Sequence, residues 1–228
     1  MRLSIIIPVF NEEKTIEEIL RRIFIQDTGV WEKEIIVVDD GSEDNSKLKV
    51  KSFKSKYPDL KLLEHQTNLG KGAAIRTGLK ASTGDAVLIQ DADLEYNPAD
   101  WPSLLKALEN SETKTVYGSR ELHPERHGYF HFVWGVRLLT SFTNLLYGSR
   151  LTDIYTCYKL LRREVLENLN LKSSGFEIEA EITCKILKAG IPIKEVPIRY
   201  IPRKFSEGKK IKIRDGIIGL WTILKNRF

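Results

Sequence analysis

The amino-acid sequence predicts an α/β fold built around a mostly parallel β-sheet, and three observations support this prediction. Over the first 90 residues, short β-branched segments alternate with helix-like segments, the order typical of parallel sheets with right-handed crossovers. The strand-like segments are continuously apolar, as expected when helices cover both faces of a sheet. Short polar clusters follow these segments, and open α/β sheets bind their ligands beyond the carboxyl ends of the strands.

The regular part of the chain contains four predicted strands and three predicted helices. The strands are residues 3–9, 34–40, 60–65 and 85–91. The helices, in which apolar residues recur at helical spacing, are residues 12–24, 42–57 and 71–82. Ser42, Asp44 and Asn45 are favourable capping residues near the start of the second helix.

Beyond residue 98 the alternation becomes less regular. A helix at 100–109 precedes a strand at 114–120 and a loop at 121–131 that contains His, Gly and Pro. Further elements follow at 132–147, 154–166, 177–189, 192–201 and 212–226. Since no linker separates them, we expect one domain over residues 1–210, followed by a basic amphipathic helix within 211–228.

The composition is that of an ordinary soluble protein, with 42% apolar and 29% charged residues in 228. Two cysteines without metal-type spacing predict buried reduced thiols and a reducing cytoplasm. The first apolar run is too short for a signal peptide, and no stretch approaches the roughly 20 apolar residues of a membrane span. Residues 199–228 carry a net charge of +7 and the rest −2, a distribution that argues against a nucleic-acid partner.

Two aspartates stand one residue apart where the fourth strand ends, in "IQDADLEYNP". In an extended chain Asp91 and Asp93 project to the same side, and Glu95 could add an oxygen there. A hard divalent cation would relieve their repulsion, so we predict a Mg²⁺ or Mn²⁺ site at Asp91, Asp93 and Glu95. The alternative is a solvated turn or an acidic helix N-terminus.

A second acidic cluster, "VVDDGS", follows the second strand. Asp39 could accept hydrogen bonds from a nucleoside, and Asp40 could do the same or cap the next helix. The segment "NLGKG" lacks the P-loop pattern, and no GxGxxG follows the first strand, which excludes P-loop ATPases and Rossmann dehydrogenases. Its glycines are therefore expected to cap a helix.

Three histidines, His123, His127 and His131, recur every four residues, but Pro124 and Gly128 interrupt the helix that would align them. A loop on the acceptor side is therefore expected there, and a zinc site is not.

Five motifs in this order resemble family 2 glycosyltransferases of the GT-A fold, and particularly their polyprenyl-phosphate mannose and glucose synthases. The motifs are "SIIIPVFNEEKTI", "EIIVVDDGSEDNS", "NLGKGAAIRTGL", "DADLEYNP" and "YGSR". The strong likeness covers about residues 1–120, and a weaker one continues to "EVPIRYIPRKFSEGKK". Phe10 stands where relatives commonly have tyrosine, and "TCYK" replaces the usual Thr-Gly-Phe-Arg.

This resemblance implies roles for particular residues. Asp93, Arg203 and Lys209 would act in catalysis, and Lys159 and Glu179 would lie on the acceptor side. The nucleotide sugar would be bound by Pro8, Phe10, Glu12, Val37, Asp39, Asp91, Ala92, Asp93, Arg120, Arg203 and Lys209.

The resemblance also implies a reaction: inverting, metal-dependent transfer of a hexose from a nucleotide sugar to a polyprenyl phosphate. A lipid phosphate needs no general base, because its second pKa is about 6. A hydroxyl acceptor on a cell-envelope glycan is the alternative, and it would need a carboxylate such as Glu177, Glu179 or Glu181. A non-catalytic nucleotide-sugar regulator tethered to a membrane-protein partner is the alternative from another class.

The predicted C-terminal helix has an apolar stripe flanked by basic residues. Such a helix either docks on the protein body or lies in a membrane interface. Because a polyprenyl acceptor resides in a membrane, we expect interfacial binding and a cytoplasmic, peripheral location at the inner face of the cell membrane. The stripe consists of Ile213, Ile217, Leu220, Trp221 and Leu224.

Overall fold

The computed structural model describes residues 1–125, 130–203, 210 and 213–228. Its centre is a seven-stranded sheet in the order β3-β2-β1-β4-β6-β5-β7. The strands are β1 (Arg2–Val9), β2 (Glu32–Asp39), β3 (Lys61–Glu64), β4 (Ala86–Ile89), β5 (Thr115–Ser119), β6 (Lys159–Arg162) and β7 (Lys194–Pro197). The helices are α1 (Ile16–Ile25), α2 (Ser46–Lys56), α3 (Lys71–Ala81), α4 (Trp101–Leu108), α5 (Phe130–Tyr147), α6 (Arg163–Glu167), α7 (Ile178–Lys188) and α8 (Ile213–Arg227).

The first four strands form the parallel half of the sheet, as the sequence predicts. β1 lies between β2 and β4, and β3 extends the sheet beyond β2, all in parallel. Ile5, Ile6 and Ile7 in the middle of β1 are fully buried, because helices cover both faces of this half. The carboxyl ends of β1, β2 and β4 consequently lie along one edge of the sheet.

One antiparallel strand, β6, is inserted between β4 and β5. Leu160 pairs with Leu88 on one side and with Val116 on the other. β6 therefore begins at the edge where β4 and β5 end, and it brings residues 153–158 to that edge. The sulfhydryl of Cys157 donates a hydrogen bond to the Ile89 carbonyl at 3.5 Å, which ties this segment to the end of β4.

The C-terminal helix α8 packs against α5 and α7. Ile223 is fully buried there, together with Ile154, Ala180 and Cys184. The helix is thus docked on the protein body, but not through the predicted stripe, since Ile217 and Trp221 are 67% and 66% exposed. Among the described residues, no helix combines the length and the hydropathy that crossing a bilayer requires.

Candidate active site

A cavity of about 490 Å³ opens at the carboxyl edge of the sheet. Many residues predicted from the sequence line it, namely Pro8, Phe10, Glu12, Asp91, Ala92, Asp93, Glu95, Arg120, Glu179 and Arg203. Val37 and Asp39 are buried in β2 behind the lining, and the predicted catalytic Lys209 lies outside the described residues. The topology thus brings residues from opposite ends of the chain to one edge of the sheet.

The aspartates of "DAD" lie on a tight turn after β4. Leu94 adopts a positive φ of 64°, which bends the chain and lets the Glu95 amide donate to the Asp93 carboxylate at 3.0 Å. Burial, together with the negative charges of Asp91 and Glu95, raises the pKa of Asp93 to about 7. This mutual repulsion of carboxylates is what a divalent cation relieves, so Asp91 and Asp93 fit a Mg²⁺ or Mn²⁺ ion.

Glu95, the predicted third metal ligand, is engaged elsewhere in this structure. One oxygen accepts from the Tyr200 hydroxyl at 2.6 Å and the other from the Arg203 amide at 2.9 Å. Across the described ranges, no group of three or more His, Cys, Asp or Glu side chains is arranged to hold a metal ion. The geometry therefore favours two protein carboxylates, with the remaining oxygen ligands supplied by substrate phosphates or water.

Arg203 contacts three acidic residues across the cavity, namely Glu12, Asp93 and, at 3.7 Å, Glu95. Its guanidinium donates to both Glu12 oxygens at 2.9 and 3.1 Å and to Asp93 at 3.1 Å. Lys210, which the sequence analysis missed, donates to Glu12 at 2.6 Å and to the Phe10 carbonyl. Both cations therefore line the cavity beside Glu12.

Lys71, a second residue that the sequence analysis missed, occupies the opposite wall. Its ammonium group lies 2.8 Å from an Asp91 oxygen and 3.0 Å from a Glu179 oxygen. Burial alone would lower the pKa of Lys71, but Asp91 and Glu179 outweigh it and raise that pKa well above its usual value. The lysine is therefore a permanent cation beside the proposed metal ligand.

The position of Lys71 depends on the glycines of "NLGKG". Gly70 precedes α3 with a φ of 95°, which confirms the predicted helix-capping role, and the backbone of residues 173–175 packs against it. A Cβ atom on Gly72 would lie 2.6 Å from the Ser173 carbonyl oxygen. Only glycine permits this approach, which brings the segment before α7 against the start of α3.

Arg120 follows β5 and is fixed from two sides. Its guanidinium donates two hydrogen bonds to the buried Asp153 at 2.6 and 2.8 Å, and it lies 5.0 Å from the centre of the Tyr200 ring. Because Asp153 and the ring hold the side chain in place, Arg120 is a pre-oriented cation at the rim of the cavity.

The paired aspartates after β2 have different surroundings. Asp40 accepts from the Leu69 and Gly70 amides at 2.9 and 2.8 Å and contacts His65, so it organises the "NLGKG" segment. Asp39 is 1% exposed, and its Oδ1 has no hydrogen-bond partner within the described structure. A buried carboxylate oxygen without a partner is costly, and this favours Asp39 as an acceptor for a ligand group.

The structure corrects the prediction for Lys159. Its side chain is fully buried, and the ammonium group donates to the carbonyls of Ile154 and Thr156 and to Glu179 at 2.7 Å. Direct contact with an acceptor is therefore not available to it. Lys159 positions Glu179 from behind, while Lys71 contacts the same carboxylate from the cavity side.

The other two candidate bases face away from the cavity. Glu177 accepts from the Ser174 and Gly175 amides. Glu181 accepts from Ser173 at 2.7 Å and from Lys185 at 2.6 Å. Of the three glutamates, only Glu179 lines the cavity.

Of the three spaced histidines, His123 forms hydrogen bonds within its own loop, to the backbone of Glu125. His127 and the His131 side chain lie outside the described residues.

Comparison with known proteins identifies the family of the chain. Residues 4–169 match the family described as Glycosyl transferase family 2. The chain belongs to that family. This membership makes it a glycosyltransferase, as the motifs had predicted.

Two relatives are similar to this chain over most of its length. A dolichol-phosphate mannosyltransferase of Pyrococcus furiosus is 32% identical over 92% of this chain, which spans 59% of that relative's length. An undecaprenyl-phosphate mannosyltransferase of Micrococcus luteus is 30% identical over 96% of this chain and 90% of its own length. Both relatives are named for transfer to a polyprenyl phosphate.

Solved structures confirm the GT-A fold. A glucosyl-3-phosphoglycerate synthase from Mycobacterium tuberculosis, solved with Mn²⁺, UDP and glucosyl-3-phosphoglycerate, superposes with a TM-score of 0.75. It is 21% identical and covers 98% of this chain and 79% of its own. The same enzyme was also solved with Mg²⁺ and UDP, at a TM-score of 0.72 and 21% identity over 98% and 78% of the two chains.

Proposed function

We propose that this glycosyltransferase transfers a hexose, mannose or glucose, from a GDP- or UDP-sugar to a polyprenyl phosphate, with inversion at the anomeric carbon. The observation that carries the proposal is the opposition of Asp91 and Asp93 to Lys71, Arg203 and Lys210 within one cavity. Such a site can bind a diphosphate and stabilise the charge that develops when the glycosidic bond breaks.

The donor would lie across the carboxyl ends of β1, β2 and β4. Pro8, Phe10 and Asp39 are proposed to contact the nucleoside, for which Asp39 has an unpaired oxygen. Arg203, Lys209 and Lys210 would embrace the diphosphate. Glu12, which Arg203 and Lys210 contact in this structure, would release part of that contact when phosphate oxygens arrive.

Asp91 and Asp93 would hold a Mg²⁺ or Mn²⁺ ion, which when bound supplies positive charge against the leaving diphosphate. Metal-bound complexes of the solved neighbour support this cofactor. Since Lys71 contacts Asp91 directly, it would orient that carboxylate and add a permanent positive charge near the sugar.

The chemical step needs little proton transfer. An oxygen of the acceptor phosphate, already ionised at neutral pH, attacks the anomeric carbon while the bond to the nucleoside diphosphate breaks. Arg120, held by Asp153 at the rim, is proposed to bind the acceptor phosphate. Glu179 would contact the sugar through Oε1, which lies 3.0 Å from the Lys71 ammonium group but has no hydrogen-bond partner within the described structure, while Lys159 holds the other oxygen.

A hydroxyl acceptor is the second candidate, and the position of Glu179 in the cavity is the observation that favours it. The variant Glu179→Gln separates the two. For a lipid-phosphate acceptor, transfer should persist with a changed KM for the donor. A complete loss of transfer with normal donor binding, while Glu177→Gln remains active, would identify Glu179 as a base for a hydroxyl acceptor.

Membrane contact is proposed to occur through α8. Ile217, Leu220 and Trp221 are exposed on this docked helix, and Trp side chains favour the boundary between headgroups and acyl chains. The protein would then be peripheral at the inner face of the cell membrane, with a separate membrane protein as a further partner.

The test is a donor screen that measures release of nucleoside diphosphate with short polyprenyl phosphates present. We expect turnover with one GDP- or UDP-hexose that requires Mg²⁺ or Mn²⁺. Asp91→Asn and Asp93→Asn should each reduce it more than about tenfold at saturating Mn²⁺, whereas the exposed control Asp59→Asn should not. Near-normal turnover in either site variant would contradict the metal assignment.

A further inference from the structure

A second groove lies between α8, the end of α7 and the segment that precedes α7. Its volume is about 790 Å³, and it shares no lining residue with the active-site cavity. Lysines dominate its charge. The charged and aromatic residues that line it are Lys172, Lys185, Lys188, Lys225, Glu177, Glu181 and Trp221.

The two glutamates of the groove are already satisfied by the protein. Glu181 is bound by two backbone amides and by Lys185, and these hydrogen bonds outweigh the effect of burial and lower its pKa. Glu177 is bound by backbone amides as well. Within the described residues, the only ion pair that either carboxylate forms is the one between Glu181 and Lys185.

Two lysine side chains of the groove have no partner among the described residues. Lys188 donates to the carbonyls of Asn226 and Arg227, which satisfies the end of α8. Within the part of the chain that the structure describes, the ammonium groups of Lys172 and Lys225 form no hydrogen bond or ion pair. The groove thus presents two exposed, unpaired cations on opposite walls.

An apolar surface adjoins these cations. Trp221 lines the groove and is 66% exposed, and Ile217 lies one helical turn before it on α8. Exposed aromatic and aliphatic side chains beside unpaired lysines match the interface of an anionic bilayer, where phosphate lies next to hydrocarbon.

The groove is also pre-formed. Its inner wall, the segment of residues 172–175, is fixed to α3 because the Ser174 carbonyl accepts from the Ala73 amide at 3.1 Å. The close approach of this segment to Gly70 and Gly72 allows little displacement. A ligand would meet lysines whose backbones are already in place, which reduces the entropy cost of binding.

We propose that this groove binds the phosphate headgroup of an anionic membrane lipid through Lys172 and Lys225, with Trp221 at the headgroup boundary. The lipid is not the glycosyl acceptor, because the groove is separate from the cavity that holds Asp91 and Asp93. The inference rests on the proposed membrane association, but on neither the donor nor the acceptor. It assigns to the chain a lipid site in addition to its transfer site.

The test compares the full-length chain with two double variants that remove equal charge. Lys172→Gln/Lys225→Gln empties the groove of unpaired cations, and Lys56→Gln/Lys80→Gln removes two exposed lysines elsewhere. Binding is measured by co-sedimentation with phosphatidylcholine vesicles, with and without phosphatidylglycerol. Far-UV circular dichroism and the melting temperature verify that both variants fold.

We expect the groove variant to lose about 30-fold in partitioning onto the anionic vesicles, and the control variant to lose much less. Equal losses in the two variants would show a diffuse charge effect and overturn the site. Unchanged binding in the groove variant would also overturn it. A blue shift of Trp fluorescence on anionic vesicles, absent in Trp221→Phe, should accompany binding.

Inorganic phosphate distinguishes a lipid site from a free-anion site. We expect inorganic phosphate to leave the Trp fluorescence unchanged. If phosphate shifts the fluorescence as vesicles do, the groove binds a free anion and the lipid assignment is wrong. Transfer to a short polyprenyl phosphate without vesicles should be equal in the wild type and the groove variant. If transfer fails in both while anionic vesicles still bind the wild type, the proposed function fails and the lipid site stands.

Discussion

Glu34, a buried carboxylate in β2, allows the pH dependence of stability to be predicted. It accepts hydrogen bonds from Lys61 at 2.7 Å, from the amide and hydroxyl of Thr83 at 2.8 Å each, and from the Ser4 hydroxyl. Burial of the carboxylate opposes its ionisation, but these donors outweigh that effect and lower its pKa from 4.5 to about 2. Ionised Glu34 therefore links strands β1, β2 and β3.

The magnitude follows from this difference in pKa. A folded-state pKa about 2.5 units below the unfolded value corresponds to roughly 3 kcal/mol of stability at neutral pH. Because the folded pKa is the lower one, the contribution is fully present above pH 4.5 and is lost as the pH falls towards 2. At pH 3 about 1.4 kcal/mol should remain.

The assay is urea unfolding of Glu34→Gln, followed by Trp fluorescence at pH 7 and pH 3. Glu32→Gln is the matched control. Glu32 lies on the same strand but is exposed, and it forms a surface ion pair of 3.4 Å with the exposed Arg2. That surface pair should contribute at most about 1 kcal/mol. If the two variants lose the same free energy of unfolding at pH 7, or if the loss for Glu34→Gln is the same at pH 3, the reasoning is wrong.

Two further predictions concern the buried pair and the docked helix. Lys159→Met should lower the free energy of unfolding by about 3–5 kcal/mol in the same urea assay, because it leaves Glu179 without its buried partner; a loss below about 1 kcal/mol would contradict this. Gly219→Ala should loosen α8 and speed its proteolysis by trypsin, because the new Cβ would overlap the Tyr155 hydroxyl. In the control Gly216→Ala the new Cβ has no neighbouring atom within 4 Å, so the rate of proteolysis should stay the same or decrease.

The parallel half of the fold could be predicted because its signal is local. Continuous apolar runs, helical periodicity and polar residues at strand ends each depend on a few neighbouring residues. The antiparallel orientation of β6 could not be predicted in the same way, because an apolar run such as "KLL" does not indicate whether the strand pairs parallel or antiparallel to its neighbours. Its direction depends on pairing with Leu88 and Val116, which are distant in sequence.

The candidate site shows the same limit. Asp91 and Asp93 could be identified because two carboxylates one residue apart after a buried strand repel each other, which indicates a cation site. Lys71 was not, because "NLGKG" fails the P-loop pattern, and the pattern contains no sign that the start of α3 faces Asp91. Lys159 was assigned to the acceptor side by family resemblance, which contains no information on burial, whereas here Glu179 and two carbonyls allow its full burial.

The C-terminal helix illustrates a third limit. Helical spacing identified Ile217, Leu220 and Trp221 as one apolar face, and they do remain together on the surface. Spacing could not reveal that Thr222 and Ile223, on another face, would make the tertiary contacts. A helix with two usable faces can dock and still present apolar residues outward.

The alkylation rates of the two buried thiols can measure two separate local opening motions, one at α8 and one in the central sheet. Burial raises the pKa of Cys184 to about 11 and that of Cys157 well above its usual value, so neither supplies the reactive thiolate in the folded protein. Cys184 belongs to the small cluster under α8, whereas Cys157 belongs to the main core. Alkylation of Cys184 thus reports how often α8 lifts away, and alkylation of Cys157 how often the central sheet opens.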